Sequence, residues 1–328
     1  MHRIWLERAL PPEHAQLLDR VAILLGPGTA TPDDPLSAIA AAEGIVAASK
    51  VRYDGPLMDR APRLRVICRT GIGYDNITVA DATVRGIAVC NAPEGPTIST
   101  AEHAIALLFA VAKNLGPASA VLRGLERFDF FSHFTGVELA GLRLGLVGFG
   151  RIGRRVAAIA RAVGMRVVAY DPLLDGAAAA AAQVDLARSL EALLAASDVV
   201  SLHLPLTAAT RHLIDRERLR QMKAGAILIN TARGGLVDEP ALAEALDSGH
   251  LWGAGLDVFD PEPPAPDHPL LRHERVIATP HVAAATGAAK RRLWETAIRQ
   301  TLEVLNGQRP AHLVNPEVWG RAAERRAK

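Results

Sequence analysis

The chain has 328 residues, of which 49% are hydrophobic and 22% charged, and it carries a formal net charge of +2 at pH 7. It is too long for one small core and suits about two domains of ordinary size, and its composition is that of a globular protein. The near-zero net charge gives no electrostatic reason to expect nucleic acid or an anionic membrane as a partner.

Two further features indicate the compartment of the protein. The N-terminal segment MHRIWLERALPPEH lacks the apolar stretch of a signal peptide, and no apolar run approaches the roughly 18 residues that would span a membrane. The chain has two cysteines, Cys68 and Cys90, which fit neither a disulfide framework nor a metal cluster. We therefore expect a soluble cytoplasmic protein without a metal site.

Strand-like and helix-like segments alternate in the N-terminal part of the chain. The runs RVAILLG, GIVAAS, LRVICR and IAVCNAP are typical of strands, and PPEHAQLLDR, PLMDRAP and VADATVRG of helices or turns. This alternation predicts a parallel sheet with crossover helices.

From Thr97 to about Val121, the segment containing STAEHAIALLFAVAKNL predicts one long buried helix that Gly116 and Pro117 end. The phenylalanine-rich segment FDFFSHFTGVELAG is then expected to form a loop or arm that packs against a second subunit.

A second alternating series predicts a second sheet. Its six strand candidates are LRLGLVG, MRVVAYD, DVVSLHLP, GAILINTA, GAGLDVF and RVIATPH, and the run Ala177–Ala182 is a loop or the start of a helix. Six strands with intervening helices match a complete nucleotide-binding fold. A long amphipathic helix then ends at Gly307, and the remaining residues are expected to pack on the N-terminal sheet.

The predicted fold class is α/β, with two Rossmann-like domains that each contain a parallel sheet. We expect a discontinuous substrate domain, residues 1–97 and 287–328, and an inserted nucleotide-binding domain, residues 98–286.

A glycine fingerprint lies between the first strand of the second series and the helix that follows it. It reads Gly148-Phe149-Gly150-Arg151-Ile152-Gly153. Glycines at this spacing permit a tight turn and let a pyrophosphate approach the N-terminus of the helix. The next strand ends in Asp171, whose carboxylate can bind ribose hydroxyls and repels a 2′-phosphate, so NAD is favoured over NADP. The structural alternative is a plain glycine turn with Asp171 as a helix cap.

Other residues at the ends of these strands are candidate cofactor contacts. Arg151 adds positive charge near the pyrophosphate, and Thr231 follows the strand AILIN. His203 and Pro205 end the predicted strand DVVSLHLP and could line the nicotinamide, although a simple capping role for His203 stays open. Asp257 is a carboxylate among apolar neighbours and needs hydrogen bonds, which the carboxamide of a nicotinamide could supply.

Three strand-to-loop junctions end on residues suited to acid–base or carboxylate chemistry, namely Arg233, Glu262 and His281. In an open parallel sheet, ligands bind beyond the carboxyl ends of the strands, so these groups should converge on the cofactor. Reduction of a 2-oxo acid by hydride needs a proton donor, which His281 can be, with Glu262 orienting its ring. Arg233 offers a planar fork for a carboxylate. Taken singly, each has an ordinary explanation as a surface arginine, a loop glutamate or a core histidine.

The first sheet contributes a candidate substrate-binding turn after the strand LRVIC. The residues are Arg69, Gly71, Ile72 and Gly73. A small, flexible turn at a strand end exposes backbone N–H groups that can bind a substrate carboxylate. Arg69 either adds charge there or pairs with an acid at the surface.

With these motifs in order, the chain resembles the D-isomer-specific 2-hydroxyacid dehydrogenase family, which includes phosphoglycerate dehydrogenases and glyoxylate/hydroxypyruvate reductases. The resemblance rests on RTGIGYDN, TAEHAIALL, GFGRIG, HLPLT, NTARGGLVDE, GLDVFDPEPP and PHVAAAT. It implies an NAD-dependent enzyme acting on small D-2-hydroxy or 2-oxo acids, with Arg233, Glu262 and His281 as the catalytic set. It also implies a homodimer formed by the cofactor domains.

The chain departs from the family pattern at three places. Ala283 and Ala284 stand where the family usually has two glycines, and their methyl groups are expected to narrow the pocket beside the nicotinamide. Pro96 replaces a frequent asparagine, and Leu142 replaces a common lysine before the fingerprint strand.

Two other functions remain open at this point. One is an NAD-sensing, co-repressor-like binding protein of the same fold. The other is a 3-phosphoglycerate dehydrogenase without a regulatory domain, because the chain ends soon after the long helix. A phosphorylated substrate would need a second cation near Arg69, for which Lys50 and Arg52 are candidates.

Overall fold

The chain divides into two compact units in the computed structural model, which describes residues 1–26, 36–124, 135–174 and 176–319. One unit comprises Met1–Pro96 and Thr286–Lys328, and the other comprises Thr97–Ala285. Each unit contains one parallel sheet, so the predicted α/β fold with two such sheets is confirmed. Residues 125–134, which include all four phenylalanines of the phenylalanine-rich segment, lie outside the described residues, and the packing of that segment stays a prediction.

The first unit is built on a five-stranded sheet in the order β2-β1-β3-β4-β5, and every neighbouring pair is parallel. Its strands are β1 (His2–Leu6), β2 (Ala22–Leu25), β3 (Gly44–Ala47), β4 (Val66–Arg69) and β5 (Ala88–Cys90). Strand β1 was not predicted, because only three of its residues are buried and charged residues flank them.

Helices and two hydrophobic cores complete the first unit. Its helices are the 3-10 helices Pro12–Leu17 and Ser37–Ala41 and the α-helices Gly55–Asp59, Val79–Val84 and Gly287–Leu305. In β4, Ile67 lies in one core, whereas Val66 and Cys68 lie in the other. Side chains therefore alternate between two covered faces, as a buried parallel sheet requires. Beyond the last helix, Leu313 pairs with Cys90, so the C-terminal residues pack on this sheet.

The second unit is built on a seven-stranded sheet in the order β12-β11-β10-β9-β6-β7-β8, with every neighbouring pair parallel. Its strands are β6 (Arg143–Val147), β7 (Arg166–Tyr170), β8 (Asp185–Leu186), β9 (Val199–Leu202), β10 (Ala226–Asn230), β11 (Leu251–Leu256) and β12 (Val276–Ala278). Six of these correspond to the predicted strands. The short strand β8 was not predicted, because its two residues are exposed and form no apolar run.

Helices cover both faces of this sheet over two separate cores. The α-helices are Leu115–Gly124, Arg151–Ala162, Gly176–Ala181, Leu190–Ala196, Arg216–Gln221, Glu239–Asp247 and Pro269–Arg272, with a 3-10 helix at Gly234–Leu236. The alanine-rich run is therefore helical, which was one of the two possibilities left open.

The prediction of one helix from Thr97 to about Val121 is wrong. The helix Glu94–Ala112 ends before Asn114, whose φ of 51° breaks the helix, and a second helix begins at Leu115. Asparagine tolerates this left-handed conformation better than most residues do. Pro117 then lies in the first turn of the second helix, where its missing N–H is harmless.

The helix Glu94–Ala112 is long and apolar enough to cross a membrane by length and composition alone. However, 61% of its apolar window is buried within the protein, as expected of a core helix. Pro96 lies in its first turn, where proline fits the helix without loss of a hydrogen bond.

Candidate active site

The glycine turn between β6 and the helix Arg151–Ala162 has two crowded glycines and one open glycine. Gly148 has φ of 93°, and a Cβ atom there would lie 2.5 Å from the carbonyl oxygen of His203. A Cβ atom at Gly153 would lie 2.5 Å from the carbonyl oxygen of Gly148, whereas one at Gly150 would meet no atom of the described residues within 4 Å. The turn is therefore closed by Gly148 and Gly153, and Gly150 leaves space for an anionic group at the N-terminus of the helix.

Asp171, directly after β7, stabilises this turn through hydrogen bonds. Its Oδ2 accepts a hydrogen bond from the N–H of Phe149 at 2.8 Å, and its Oδ1 accepts one from the N–H of Leu173 at 2.9 Å. Each carboxylate oxygen has two lone pairs, so ribose hydroxyls can still bind. Asp171 thus shapes the turn through its own hydrogen bonds and keeps the capacity expected of a ribose ligand.

His203 follows β9 and lies beside the glycine turn. Its Nε2 is 2.9 Å from Oγ of Ser201, and burial lowers the pKa of His203 to about 4, so the ring is neutral at physiological pH. Pro205 comes next on this loop, and its carbonyl oxygen accepts a hydrogen bond from Thr210 at 2.8 Å. The loop is therefore held in place by its own polar contacts.

The remaining predicted cofactor residues differ in their surroundings. Arg151 is exposed at the start of the helix, and Ile152 packs against the core beneath it. Thr231 lies beyond β10, and its buried hydroxyl has no hydrogen-bond partner among the described residues. The open space at Gly150 and this unsatisfied hydroxyl both fit a bound dinucleotide, because each leaves room or a polar atom for a ligand.

Arg233 lies in a turn that Asn230 closes. The Asn230 side chain donates to the carbonyl oxygen of Arg233 at 2.8 Å and accepts from the N–H of Ala232 at 3.0 Å. Gly234 packs directly on the peptide between Phe259 and Asp260, with no room for a side chain. The turn that carries Arg233 is thereby packed against the loop that carries Glu262.

His281 and Glu262 form a hydrogen-bonded pair. Nδ1 of His281 lies 2.8 Å from Oε2 of Glu262, and the side chains are 48% and 38% exposed. Burial alone would raise the pKa of Glu262, but the hydrogen bond and charge of His281, the N–H of Phe259 and the charge of Arg233 together hold it below its ordinary value. The carboxylate is thus ionised at neutral pH and lies within electrostatic reach of both other catalytic candidates.

The backbone around His281 is unusual and is fixed by Asp257. His281 has φ of 54°, and its N–H donates to the carbonyl oxygen of Asp257 at 2.7 Å. The Asp257 side chain is fully buried and accepts hydrogen bonds from the N–H groups of Val282 and Ala283, both at 2.8 Å, and from the Thr279 hydroxyl at 2.6 Å. The protein itself therefore supplies hydrogen bonds to this carboxylate, and a nicotinamide contact there stays a prediction.

Those hydrogen bonds also explain why Asp257 is charged although buried. Burial would raise its pKa, but His103, Thr279 and the N–H groups of Val282 and Ala283 hold the pKa of Asp257 below its ordinary value. Ala283, one of the two departures from the family glycines, is itself buried and takes part through its backbone.

In the first unit, carbonyl groups of the turn after β4 accept hydrogen bonds from the residues that follow β5. The carbonyl oxygens of Gly71 and Ile72 accept hydrogen bonds, both at 2.8 Å, from the N–H of Ala92 and from the Asn91 side chain. Over the part of the chain that the structure describes, the N–H groups of Ile72 and Gly73 meet no acceptor. Unpaired N–H groups at a strand end suit an anion.

Arg69 ends β4 and is half-buried beside this turn. Its guanidinium donates to the carbonyl oxygen of Thr70 at 2.9 Å. The hydrogen bond orients the side chain along the turn, at the same strand end as Gly71 and Ile72.

Three residues with a role in shaping the candidate site were missed by sequence reasoning: Asn91, His103 and Asn230. Asn91 and Asn230 each stand at the end of a strand, which is a signal that could have found them, because a strand-end amide can close the following turn. His103 lies within the motif TAEHAIALL, and its Nε2 is 2.9 Å from Oγ1 of Thr279. Nothing in the sequence connects two residues so far apart.

Comparisons with known proteins place the chain in a family. Residues 105–283 match the family described as D-isomer specific 2-hydroxyacid dehydrogenase, NAD binding domain. The D-3-phosphoglycerate dehydrogenase of Methanocaldococcus jannaschii is 41% identical over 285 residues, which are 87% of this chain and 54% of that protein. The glyoxylate reductase of Korarchaeum cryptofilum is 42% identical over 268 residues, which are 81% of this chain and 80% of that protein.

A solved structure gives the same result for the fold. The TT0316 protein of Thermus thermophilus has a TM-score of 0.87 and 41% sequence identity, and the match covers 95% of this chain and 99% of that one. The chain spans about half the length of the phosphoglycerate dehydrogenase it matches. With the family match over residues 105–283 and these relatives, the chain belongs to the D-isomer-specific 2-hydroxyacid dehydrogenases and contains their NAD-binding domain.

Proposed function

We propose that the protein is an NAD-dependent oxidoreductase that transfers a hydride between NAD(H) and a small D-2-hydroxy acid or 2-oxo acid. The observation that carries this proposal is the hydrogen bond of 2.8 Å between Nδ1 of His281 and Glu262, with the charge of Arg233 acting on the same carboxylate. These three residues follow β10, β11 and β12, whose carboxyl ends lie at the same edge of the sheet as the glycine turn.

The acid–base step follows from the orientation of His281. Because Nδ1 is held by Glu262, Nε2 is the ring nitrogen that can reach a substrate. In the direction of reduction, Nε2 gives its proton to the carbonyl oxygen of the 2-oxo acid while the ionised Glu262 stabilises the ring. In oxidation, Nε2 takes the hydroxyl proton back.

Arg233 has the role of the substrate anchor. Its guanidinium can bind a carboxylate through two parallel hydrogen bonds, and its charge also polarises the adjacent carbonyl group. The Asn230 side chain and the contact of Gly234 with the Phe259–Asp260 peptide hold the backbone of Arg233 in place. When bound, NADH supplies the hydride that reduces the carbonyl carbon.

We assign the cofactor to the inserted unit and the substrate turn to the other unit. The glycine turn, Asp171, His203, Pro205, Thr231 and Asp257 are proposed contacts of NAD, with Arg151 and Ile152 at the start of the helix. Arg69 and the backbone of residues 71–73 are proposed to bind substrate. The N–H groups of Ile72 and Gly73, which have no acceptor among the described residues, support this assignment. A cytoplasmic homodimer is part of the same proposal.

Glyoxylate and hydroxypyruvate are the proposed substrates, and a phosphorylated 2-oxo acid is the second candidate. Lys50 and Arg52 favour this second candidate. They lie on the loop after β3, whose last residue, Ala47, pairs in register with Arg69. Both side chains are exposed, and the N–H of Lys50 is held by the Glu7 carboxylate at 2.7 Å. A phosphate bound there would be met by positive charge at adjacent strand ends.

Oxidation of NADH and of NADPH with a panel of 2-oxo acids tests the proposal. The panel contains glyoxylate, hydroxypyruvate, pyruvate, phenylpyruvate and 3-phosphohydroxypyruvate. We expect NADH-dependent turnover of at least one of the first two, and turnover of 3-phosphohydroxypyruvate alone would establish the second candidate. If every acid is inert while NADH still binds, the proposed activity is wrong and an NAD-sensing binding protein is the better account.

A further inference from the structure

His103 has no part in the proposed chemistry, yet it lies in a polar network behind the acid–base histidine. Its Nε2 is 2.9 Å from Oγ1 of Thr279 and 3.5 Å from Oδ1 of Asp257. His103 is carried by the helix Glu94–Ala112, and its side chain is 23% exposed. The contact links this helix to the residues just before His281.

The hydrogen-bond chemistry of Thr279 fixes the direction of this network. A hydroxyl has one proton to donate, and Thr279 gives it to Oδ1 of Asp257 at 2.6 Å. Toward His103 the hydroxyl can then only accept, so Nε2 of His103 carries the proton. The order of donation is therefore His103 to Thr279, and Thr279 to Asp257.

Asp257 in turn accepts hydrogen bonds from the backbone that carries His281. Its side chain accepts from the N–H groups of Val282 and Ala283, and its carbonyl oxygen accepts from the N–H of His281. Three consecutive N–H groups are thus bound by one fully buried residue. This binding holds His281 at φ of 54°, a conformation that a non-glycine residue adopts only when its surroundings enforce it.

We propose that His103 is a positioning residue which, through Thr279 and Asp257, holds the backbone of residues 281–283 so that His281 meets Glu262. The inference rests on the proposed function for the role of His281, but the geometry it describes exists independently of turnover. A merely structural network would instead stabilise the unit without affecting where His281 lies.

Matched substitutions separate these two roles. Thr279→Val keeps the shape of the side chain and removes the hydroxyl, whereas Thr279→Ser keeps the hydroxyl. His103→Leu removes the donor, whereas His103→Gln keeps an N–H at about the reach of Nε2. We expect Thr279→Val and His103→Leu to lower kcat by up to about 100-fold, because a small misplacement of an acid–base group is enough for that loss. The dissociation constant for NADH should stay at the wild-type value, and the Ser and Gln variants should keep most of the activity.

Crystal structures of Thr279→Val and Thr279→Ser provide the readout that does not depend on activity. The proposal predicts that the distance between His281 and Glu262 lengthens in the Val variant and is kept in the Ser variant. If His281 keeps its positive φ and its contact with Glu262 in Thr279→Val, the proposal is overturned. Equal losses of kcat in the Val and Ser variants would overturn it as well. If the wild-type protein reduces no acid in the panel, the proposed function fails, and the two structures still decide the role of this network.

Discussion

Two acidic residues, Asp171 and Asp257, contribute to the fold and to the candidate site at the same time. Asp171 was singled out from the sequence as a ribose ligand at a strand end, and Asp257 because a carboxylate among apolar neighbours needs hydrogen bonds. The structure supplies partners from loop backbone, namely the N–H of Phe149 for Asp171 and those of Val282 and Ala283 for Asp257. Loop conformation decides which backbone N–H groups face a carboxylate. No pattern in a single sequence predicts that conformation.

Asp171→Asn separates the charge of this residue from its hydrogen bond. The asparagine oxygen can still accept from the N–H of Phe149, so the glycine turn should keep its shape, while the hydrogen bond from the N–H of Leu173 is lost with the second carboxylate oxygen. Loss of the negative charge removes the repulsion of a 2′-phosphate, and we expect the ratio of kcat/KM for NADH over NADPH to fall by about tenfold or more. Asp171→Ala, which also loses the hydrogen bond, should weaken NADH binding in addition. An unaltered cofactor ratio in Asp171→Asn would show that another group sets the preference.

His203 makes stability depend on pH through its lowered pKa. The folded protein holds this pKa at about 4, below the ordinary value of 6.5, so between these values the unfolded chain binds the proton and the folded one does not. Stability is therefore lost as the pH falls through this window, by up to about 3 kcal/mol.

The His203→Gln variant cannot titrate and should lack this contribution. Urea unfolding near pH 7 and near pH 4.5 should show a smaller loss of unfolding free energy in the variant than in the wild-type protein. His2→Gln, which alters a half-buried histidine in the other unit, serves as the control and should keep the wild-type dependence. Equal pH dependence in His203→Gln and the wild-type protein would contradict the assignment of a buried neutral ring.

At the scale of elements, periodicity predicted the strands well and the helix boundaries less well. Strands such as AILIN and GIVA are short apolar runs between polar turns, and both are strands in the structure. The break at Asn114 was missed, because Gly116 and Pro117 are ordinary stop signals that also fit the first turn of a new helix. These two residues are therefore compatible both with the end of a helix and with the start of a new one, and tertiary packing decides between the two structures.

Substitutions in the glycine turn should affect stability and cofactor binding separately. Gly153→Ala places a methyl group against the carbonyl oxygen of Gly148, so the turn must shift, and we expect a loss of about 1–3 kcal/mol in unfolding free energy. Gly150→Ala has open space around its new methyl group and a φ of −73° that alanine adopts readily, so the fold should keep its stability. The same methyl group fills the space assigned to the pyrophosphate, so NADH should bind more weakly.

Thermal unfolding and fluorescence titration with NADH measure these two effects separately. Gly287→Ala, which also has open surroundings but lies in the other unit, is the control and should change neither quantity. Wild-type NADH affinity in Gly150→Ala would show that the pyrophosphate does not bind at this turn.

For the whole molecule, the order of motifs carried more information than any single motif. RTGIGYDN, GFGRIG, NTARGGLVDE and PHVAAAT together led to the family prediction, which the match over residues 105–283 and the fold confirm. The identity of the substrate was not predictable to the same degree. We expect it to depend on the loops that bear Lys50, Arg52 and Ala284, and the conformation of such loops does not follow from a sequence pattern.

We propose that His281 performs the acid–base step at the site formed by Glu262 and Arg233. The most direct measurement compares NADH oxidation by wild-type protein and by His281→Ala, with the best acceptor of the panel. We predict that kcat falls by about 10²–10⁴-fold, since one acid–base group contributes that much, while the dissociation constant for NADH stays unchanged. His250→Ala, which alters a histidine that binds the carbonyl oxygen of Leu219, should behave as wild type. A wild-type kcat in His281→Ala would contradict the account.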